Sequence, residues 1–232
     1  MNESDLMSGD FEASEIGKKS YWDDMYENEI KCYLESGDIG HVWFGESSVQ
    51  RIVNWLCKCP ELDLNSKILE VGCGNGNILL SLAEEGFKDL TGIDYSSSGI
   101  ELAQKISEKE NYCINYQVID FLSPDIAKLD VPYDVLLDKG TFDAVCLSEE
   151  NRLEKRQKFI EVAHNMLTVN GLFIVTTCNW TEKEIINFFS KHFNVKAVLP
   201  TPQIQFGGKS GSNVSCVIFC KRESILKENG AS

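Results

Sequence analysis

Residues 68–80 read ILEVGCGNGNILL, an apolar run that leads into a loop with glycine at every second position. An apolar run of this length followed by glycines predicts a buried strand, a tight turn and the start of a helix. The spacing Gly72-Cys-Gly74-Asn-Gly76 differs from the GxGxxG of a dinucleotide loop, and no GK[ST] follows, which excludes a P-loop. Glu70 precedes the first glycine by two residues and would repel a pyrophosphate. The stretch therefore indicates a ligand that carries positive charge.

Strand and helix patterns alternate from Lys67 onward. The predicted strands are KILEVG, DLTGID, INYQVID, YDVLLD and GLFIVTT, and the helices between them are NILLSLAEE, SSGIELAQKISEKE and a segment over about 151–167. This alternation is typical of a parallel sheet covered by helices on both faces, and so of an α/β fold. After a further helix, TEKEIINFFS, the strands HFNVKAVLP and NVSCVIFCK are joined by a loop without a helix. We expect these two strands to pair antiparallel.

The domain organisation is expected to be simple. The chain has 232 residues with 43% hydrophobic content, enough for one sizeable core. Residues 1–17 are polar and acidic and are predicted to be disordered. Residues 18–222 are predicted to form a single domain with an N-terminal helical cap over 18–60, and residues 223–232 a frayed tail.

Charge and cysteine usage narrow the class of protein. The formal net charge is −14, from 22 basic and 36 acidic residues, which argues against direct nucleic-acid binding. Such a charge would attract a basic protein partner, and a role in solubility alone explains it equally well. The acidic N-terminus is unlike a signal peptide or a mitochondrial presequence, and no apolar run approaches the ~20 residues of a membrane span. The nine cysteines form no CxxC pair and are interpreted as reduced, mostly buried thiols. We expect a cytoplasmic protein with no membrane contact and no metal.

Acidic residues end the first four predicted strands: Glu70, Asp94, Asp120 and Asp138. A single one would be an ordinary solvated residue, but the carboxyl ends of parallel strands meet at one edge of the sheet, so four in series indicate a shared ligand site. Asp94 is placed to accept both hydroxyls of a ribose, and Phe121 beside Asp120 offers a ring for an adenine. S-adenosylmethionine, which carries a ribose, an adenine, an ammonium and a sulfonium, fits this series.

The motif E-x-G-x-G-x-G at Glu70–Gly76, with Asp94 and the terminal antiparallel pair, resembles the seven-strand S-adenosylmethionine-dependent class I methyltransferases over about residues 67–222. The resemblance implies a Rossmann-like α/β fold with a mostly parallel seven-stranded sheet, a terminal antiparallel strand pair and helices on both faces. It also implies S-adenosyl-L-methionine as cofactor and S-adenosyl-L-homocysteine as product. The predicted cofactor-binding residues are Trp43, Glu70, Gly72, Cys73, Gly74, Asn75, Gly76, Asp94, Tyr95, Asp120, Phe121 and Asp138.

A closer resemblance rests on the motifs YWDDMY (21–26), VWFGE (42–46), LLDKGTFDAV (136–145), CNWT (178–181) and PTPQIQFGGKSGSNV (200–214). Together they resemble the lysine methyltransferases of translation elongation factor 1-alpha in the Efm4 or METTL-ten group, over nearly the whole chain apart from both tails. The resemblance implies a protein-lysine N-methyltransferase with elongation factor 1-alpha as its protein substrate. We expect it to act as a monomer.

Methylation of a lysine requires an apolar channel that aligns the amine, excludes water and favours the neutral amine. The candidate channel residues are Phe44 and Trp43 in a glycine-flanked loop, and Asn179 and Trp180 after the fifth strand. The rings could equally pack down as lids over the core. Asp138 is expected either to steer the lysine ammonium or to contact the ammonium of the methionine part of the cofactor.

Three features leave alternatives open. Asp143 offers a second carboxylate for the lysine ammonium, or else caps a helix. Trp22 and Tyr26 lie four residues apart on one helix face, where core packing is favoured over closure on the cofactor. The loop FGGKSGSN over 206–213 is expected to contact the partner, although it could be a plain hairpin turn.

The same cofactor fold could serve other functions. DKGTFD lacks the Asn/Asp-Pro-Pro-aromatic pattern of enzymes that methylate nucleobase amines, so a nucleic-acid substrate is disfavoured. A methyltransferase of another protein or of a small molecule is the main alternative. A non-catalytic binding module is the second, but such a module need not keep the glycines and the acidic series.

Overall fold

The computed structural model describes residues 12–201, 203–206, 209–212 and 214–222. The elements in chain order are a 3₁₀-helix Glu15–Gly17, α1 Lys19–Ser36, α2 Glu46–Lys58, β1 Lys67–Val71, α3 Asn77–Glu84, β2 Asp89–Asp94, α4 Ser97–Lys109, β3 Asn115–Val118, a 3₁₀-helix Pro124–Lys128, β4 Tyr133–Lys139, α5 Thr141–Cys146, α6 Arg152–Met166, β5 Leu167–Thr177, α7 Glu182–Phe189, β6 Phe193–Leu199, β7 Gln203–Phe206, β8 Lys209–Ser212 and β9 Ser215–Lys221.

In the described part of the chain, seven strands form one sheet in the order β3-β2-β1-β4-β5-β9-β6. Neighbouring strands from β3 to β5 run parallel. β9 lies antiparallel between β5 and β6, which confirms the predicted mostly parallel sheet with a terminal antiparallel pair. Because β4 returns to lie beside β1, the strand order reverses between them, and α/β sheets form their ligand crevice at such a point.

Both faces of this sheet are buried. Ile68 of β1 joins one hydrophobic cluster with Val135 and Leu137 of β4. The next residue, Leu69, joins a different cluster with Leu136. Since successive side chains of a strand point to opposite faces, these two clusters are the two faces of the sheet under their helices.

The segment between β4 and β5 contains one helix more than the sequence predicted. α6 is the predicted helix, but the short α5 precedes it and begins after Gly140, which has a φ of +89°. The Asp138 carboxylate accepts hydrogen bonds from the N–H groups of Thr141 and Phe142, which a helix N-terminus would otherwise leave without partners. A helix of under two turns is too short for its apolar period to be recognised in the sequence.

The N-terminal segment packs onto the loop after α5. The N–H of Ser14 donates to the Leu147 carbonyl at 3.2 Å. Lys18 Nζ lies 3.0 Å from Glu149 Oε1. Residues 12–17, which were predicted to be disordered, therefore contain a 3₁₀-helix with contacts to the domain.

The helix that follows is held by aromatic side chains. Tyr26 and Tyr33 of α1 join Leu102 and Ile106 of α4 in a third hydrophobic cluster. The ring of Tyr26 lies so close to Gly99 that a Cβ there would be 3.1 Å from ring carbons. α1 is thereby fixed against α4, with its aromatic face turned to the sheet's carboxyl end.

Several predictions concern residues outside the described ranges. They include residues 1–11 of the segment predicted to be disordered and the predicted tail 223–232. Gly207, Gly208 and Asn213 of the predicted partner-docking loop also lie outside these ranges. For that loop the structure gives only the antiparallel backbone pairing of β7 with β8, so docking stays a prediction.

No helix among the described residues is long and apolar enough to cross a membrane. All nine cysteines lie in the described ranges and are free. The buried ones are Cys59, Cys73, Cys146 and Cys216. The prediction that most of the thiols are buried was wrong, because Cys32 and Cys57 lie on exposed helix positions and Cys113 and Cys178 lie in exposed loops.

The antiparallel end of the sheet generates a stability prediction. Phe219 of β9 is fully buried, and its ring centroid lies 5.3 Å from that of Phe189 and 6.1 Å from that of Phe193. Replacing Phe219 with Ala should lower the free energy of unfolding by about 3–5 kcal/mol, because a cavity remains in the core. Urea unfolding followed by circular dichroism measures the loss. Val195→Ala, on an exposed position of β6, should change it by less than about 0.5 kcal/mol, and equal losses would contradict this packing.

Candidate functional site

A cavity opens at the carboxyl ends of the parallel strands, where the strand order reverses. Its wall also includes residues of α1 and of the loop before α2. The predicted site residues that line it are Trp43, Phe44, Gly72, Cys73, Gly74, Asn75, Asp94, Tyr95, Asp120, Phe121 and Asn179. The predicted site residues that lie elsewhere are Glu70, Gly76, Asp138 and Trp180.

The glycine loop after β1 lets other segments approach its backbone closely. Gly72 has a φ of +60° and Gly74 a φ of +52°, a region that L side chains rarely adopt. A Cβ on Gly72 would overlap the hydroxyl of Thr141, and a Cβ on Gly74 would overlap the hydroxyl of Tyr26. The Thr141 hydroxyl also donates to the Val71 carbonyl at 2.8 Å. The loop is therefore enclosed by α5 on one side and by α1 on the other.

Asn75 joins this loop to the segment that precedes α2. Its Nδ2 donates to the carbonyl of Ile39 at 3.0 Å and to that of His41 at 3.4 Å. Because Trp43 and Phe44 follow directly, Asn75 fixes the segment that carries both rings into the cavity wall. The observed contacts of Asn75 therefore position this part of the cavity wall.

Asp94 is the last residue of β2 and is buried at the cavity wall. Its Oδ2 accepts the N–H of Gly74 at 3.0 Å, and its Oδ1 accepts the N–H of Ser96 at 2.8 Å. Burial raises the pKa of Asp94 to about 6, and the two backbone hydrogen bonds oppose that rise. Each oxygen retains a second lone pair, so the ionised carboxylate can accept two further hydrogen bonds.

The loop after β3 forms an apolar part of the wall. Ile119, Phe121 and Leu122 line the cavity, and the ring centroid of Phe121 lies 4.8 Å from that of Phe159 in the core. Asp120 is exposed at this position, and its Oδ1 accepts the N–H of Leu122 at 2.8 Å. A planar apolar group beside Phe121 would therefore have a carboxylate within reach of its edge.

Glu70 and Asp138 were predicted to reach the ligand directly, and the structure places both behind the cavity wall. Each is 1% exposed, and each is followed by one more strand residue, so neither is the strand end. The carboxylate of Asp138 turns to the N-terminus of α5, and burial raises its pKa to about 8, reinforced by the charge of Asp143. Burial likewise raises the pKa of Glu70, which the charge of Lys139 opposes. The predicted series of four carboxylates therefore divides, with Asp94 and Asp120 at the cavity.

Two further predicted residues lie apart from the cavity. Gly76 has a φ of +73° and precedes α3, where a Cβ would overlap the hydroxyl of Tyr116. Trp180 is 5% exposed and packs in the core, its centroid 4.6 Å from the ring of Phe188 and 5.1 Å from the Arg156 guanidinium carbon. The lid alternative describes Trp180 better than the channel alternative, because burial of its indole in the core removes more apolar surface from water.

Phe44 and Trp43 remain at the cavity. Phe44 has a φ of +62°, an uncommon conformation for a bulky residue, and a Cβ on Gly140 would lie 3.2 Å from its ring. The ring centroid of Trp43 lies 5.2 Å from that of Trp22 and 5.2 Å from that of His41. The two neighbouring rings thus reach different parts of the wall.

Asp143 is neither a helix cap nor solvent-exposed. It lies in the first turn of α5, and its carboxylate accepts hydrogen bonds from the Thr177 hydroxyl and from the Cys178 N–H. Burial raises the pKa of Asp143, and the Thr177 hydrogen bond opposes the rise. With Asn179 and Cys178 it forms one end of the cavity.

The cavity also contains residues that were not among the predicted site residues. Trp22 and Tyr26 line it while stacking on each other, with centroids 6.2 Å apart, so the two residues pack together and also face the cavity. Their four-residue spacing in a helix was the available signal. Lys139 and Thr141 also line it, and the sequence carried only the weak signal of their position directly after a strand end.

The wall suits a nucleoside that carries an amino-acid part. It offers a ribose acceptor at Asp94, an apolar patch around Phe121 and a cation at Lys139. Trp43 Nε1 and Asn179 Nδ2 are buried donors that have no hydrogen-bond partner in the described part of the chain, so a bound ligand could supply acceptors. Within the described ranges, no group of three or more His, Cys, Asp or Glu could hold a metal ion.

Known proteins similar to this chain were found at the levels of family, sequence and fold. The sequence profile of the methyltransferase domain family matches residues 62–223. The mouse (Mus musculus) EEF1A lysine methyltransferase 2 is 41% identical over 97% of this chain and 91% of its own length. The Schizosaccharomyces pombe protein-lysine N-methyltransferase efm4 is 36% identical over 92% of this chain and 96% of its own.

Solved structures share the fold at lower identity. Magnesium protoporphyrin IX methyltransferase from Synechocystis with bound S-adenosylhomocysteine has a TM-score of 0.63 and 15% identity, over 88% of this chain and 97% of that chain. N-methyltransferase NodS from Bradyrhizobium japonicum, also with S-adenosylhomocysteine, has a TM-score of 0.60 and 17% identity, over 87% and 99%. The predicted Rossmann-like fold is confirmed.

The contact between the glycine loop and α1 generates a prediction. Gly74→Ala should lower the melting temperature by several degrees, because the new methyl group overlaps the Tyr26 hydroxyl and the backbone has positive φ. Adding Tyr26→Phe should restore part of this loss, since it removes the overlapping oxygen. Differential scanning calorimetry of both single variants and the double variant gives the coupling.

Gly45→Ala is the matched control for backbone strain. Gly45 has a φ of +75°, but a Cβ there meets nothing within 4 Å. The fall in melting temperature of Gly45→Ala should therefore report backbone strain alone, and Tyr26→Phe should not change it. Purely additive effects of Gly74→Ala and Tyr26→Phe would contradict the proposed overlap.

Proposed function

Since the chain belongs to the methyltransferase domain family, and within it to the group of EEF1A lysine methyltransferase 2 and efm4, we propose that it methylates a lysine of translation elongation factor 1-alpha. The chain is a S-adenosylmethionine-dependent protein-lysine N-methyltransferase by family membership. The substrate assignment is supported by 41% identity over 97% of the chain to a protein named for that substrate. The cavity geometry supports the residue roles that follow.

The observation that carries the cofactor assignment is the arrangement of Asp94. Its two oxygens each accept one backbone N–H, from Gly74 and Ser96, and each keeps a lone pair for a ribose hydroxyl. Phe121 would hold the adenine by apolar contact, and Asp120 would accept from its amino group. Cys73 and Tyr95, which also line the cavity, would enclose the nucleoside.

S-adenosylmethionine, when bound, supplies an activated methyl group on a sulfonium, the electrophile for an in-line displacement by an amine. The chain must hold the lysine amine in line with that methyl group and exclude water. Phe44, whose ring lies against Gly140, is proposed as the apolar wall of the lysine channel. Asn179 and Asp143 form the polar end of the same cavity.

Asp143 is the proposed acceptor for the incoming lysine ammonium. Asp138 is unsuited to that role, because it does not line the cavity and its carboxylate is directed to the N-terminus of α5. Asp143 lines the cavity and carries charge that favours a cation there. Desolvation against Phe44 then lowers the pKa of the substrate amine, which helps the amine lose its proton before transfer.

The first functional prediction concerns the substrate. Purified elongation factor 1-alpha should accept labelled methyl groups from S-adenosylmethionine on a lysine, and transfer should slow as salt rises, because a net charge of −14 attracts a basic partner. Phe44→Ala should reduce kcat/KM by about tenfold, with less effect on cofactor affinity. Scintillation counting measures the rate of methyl transfer, and peptide mass spectrometry identifies the methylated lysine.

Val169→Ala is the matched control, since Val169 is exposed in the first half of β5, away from the cavity. If label from a cell extract enters only another protein, RNA or a small molecule, the substrate assignment fails while the cofactor assignment stands. If no label enters any fraction although cofactor binds, the chain is a binding module.

The second functional prediction uses the pKa of Asp94, which burial raises to about 6. The ionised form accepts both ribose hydroxyls, so affinity for S-adenosylmethionine should fall as pH drops from 7 to 5. Asp94→Asn should weaken binding at pH 7 by about tenfold or more and flatten this slope. Isothermal titration calorimetry gives both values. An unchanged slope in the variant would show that another group titrates.

The cellular location and the oligomeric state of the protein remain proposals. A cytosolic location agrees with the free cysteines and with the absence of a membrane-spanning helix among the described residues. A monomeric state is likewise a proposal. Cell fractionation and sedimentation equilibrium would decide these points.

A further inference from the structure

Lys139 is a cation at the cavity that the proposed roles leave unused. It is the last residue of β4, and the pairing of Asp138 with Val71 brings it beside the start of the glycine loop. It lines the cavity, only partly exposed. Lys155 of α6 also lines the cavity, on the side of Leu147 and Ser148. The two lysines therefore offer positive charge at different places in the wall.

The surroundings of Lys139 are acidic but make no close pair with it. Among the described residues, its ammonium forms no direct ion pair. Burial lowers the pKa of Lys139, and the charges of Glu70, Asp138, Cys73 and Glu46 oppose this, with Glu70 contributing most. Lys139 is partly exposed at the cavity and its ammonium makes no ion pair with the described residues, so an anionic ligand group at this position would meet an unpaired positive charge.

Glu70 is complementary to this cation. It is fully buried behind the wall, and its Oε2 has no hydrogen-bond partner within the described ranges. Burial raises the pKa of Glu70 to about 8, so above that pH its charge is present and favours the protonated form of Lys139. This accounts for an acidic residue before the glycine loop that does not itself line the cavity.

We propose that Lys139 binds the α-carboxylate of the methionine part of S-adenosylmethionine, and that Glu70 is a positioning residue that keeps Lys139 charged for this contact. The inference rests on the proposed function. In this arrangement the nucleoside lies toward Asp94, and the carboxylate of the methionine part lies toward the end of β4. The contact is charge-assisted, and such hydrogen bonds are stronger than those between neutral groups.

The test compares S-adenosylmethionine with decarboxylated S-adenosylmethionine, which lacks only the carboxylate, by calorimetry on the full chain. The unmodified protein should prefer S-adenosylmethionine by about tenfold to a hundredfold. Lys139→Met should abolish this preference by weakening S-adenosylmethionine binding alone, and Lys139→Arg should retain it. Lys155→Met is the matched control and should keep the full preference.

Glu70→Gln tests the positioning role. Without the Glu70 charge the pKa of Lys139 falls. As pH is raised, the preference for S-adenosylmethionine should therefore be lost at a lower pH in Glu70→Gln than in the unmodified protein. Asp138, Glu46 and Cys73 remain as the other titratable groups around Lys139 in this variant. A merely structural role would weaken binding of both compounds equally at every pH, and that result would overturn the role of Glu70.

The other outcomes separate the two levels of the proposal. A preference that survives Lys139→Met, or that is lost in Lys155→Met, overturns the assignment to Lys139 and leaves the cofactor assignment intact. Binding of neither compound to the unmodified protein overturns the proposed function and this inference together. Should Lys139→Met unfold, the comparison of Lys139→Arg with Lys155→Met decides, because loss of preference in Lys139→Arg at intact folding contradicts the contact.

Discussion

The close approach of other segments to the glycine loop is the constraint on which the rest of this structure depends. Gly72 leaves space for the Thr141 side chain, and Gly74 leaves space for the Tyr26 hydroxyl. These contacts bring the start of α5 and the middle of α1 to the same turn of backbone. The amide of Gly74 also donates to Asp94. A side chain at either glycine would separate elements that together form the cavity.

Desolvation determines what each carboxylate around this loop can do. Asp94 is buried at the wall but holds backbone amides, and these favour its ionised form. Asp138 is buried behind the wall, where its acceptors satisfy the N-terminus of α5. Glu70 is buried beside the Lys139 charge. Carboxylates of similar position in the sequence therefore have three different surroundings: Asp94 lines the cavity, Asp138 accepts N–H groups at the N-terminus of α5, and Glu70 lies beside the Lys139 charge.

The proposed substrate end of the cavity is assembled from segments that are distant in the sequence. Phe44 comes from the loop before α2 and is held at positive φ, with its carbonyl accepting the Ser48 hydroxyl at 2.8 Å. Asp143 comes from α5 and is held by Thr177 and by the Cys178 N–H. Strain of this kind persists where surrounding contacts fix the conformation, and it concentrates at functional sites.

The sequence by itself determined the fold class, the terminal antiparallel pair and most of the cavity wall, because apolar periodicity and glycine spacing are local properties that the parallel sheet converts into position. It did not fully determine which side chains line the cavity. Trp180, for which channel and lid were equal alternatives, packs in the core, whereas Lys139 and Tyr26 reach the cavity from a predicted strand end and a predicted packing helix. Glu70 and Asp138 are each followed by one further strand residue, and both are buried and do not line the cavity. Only the tertiary structure decided these points, since burial and charge depend on which distant segments pack together.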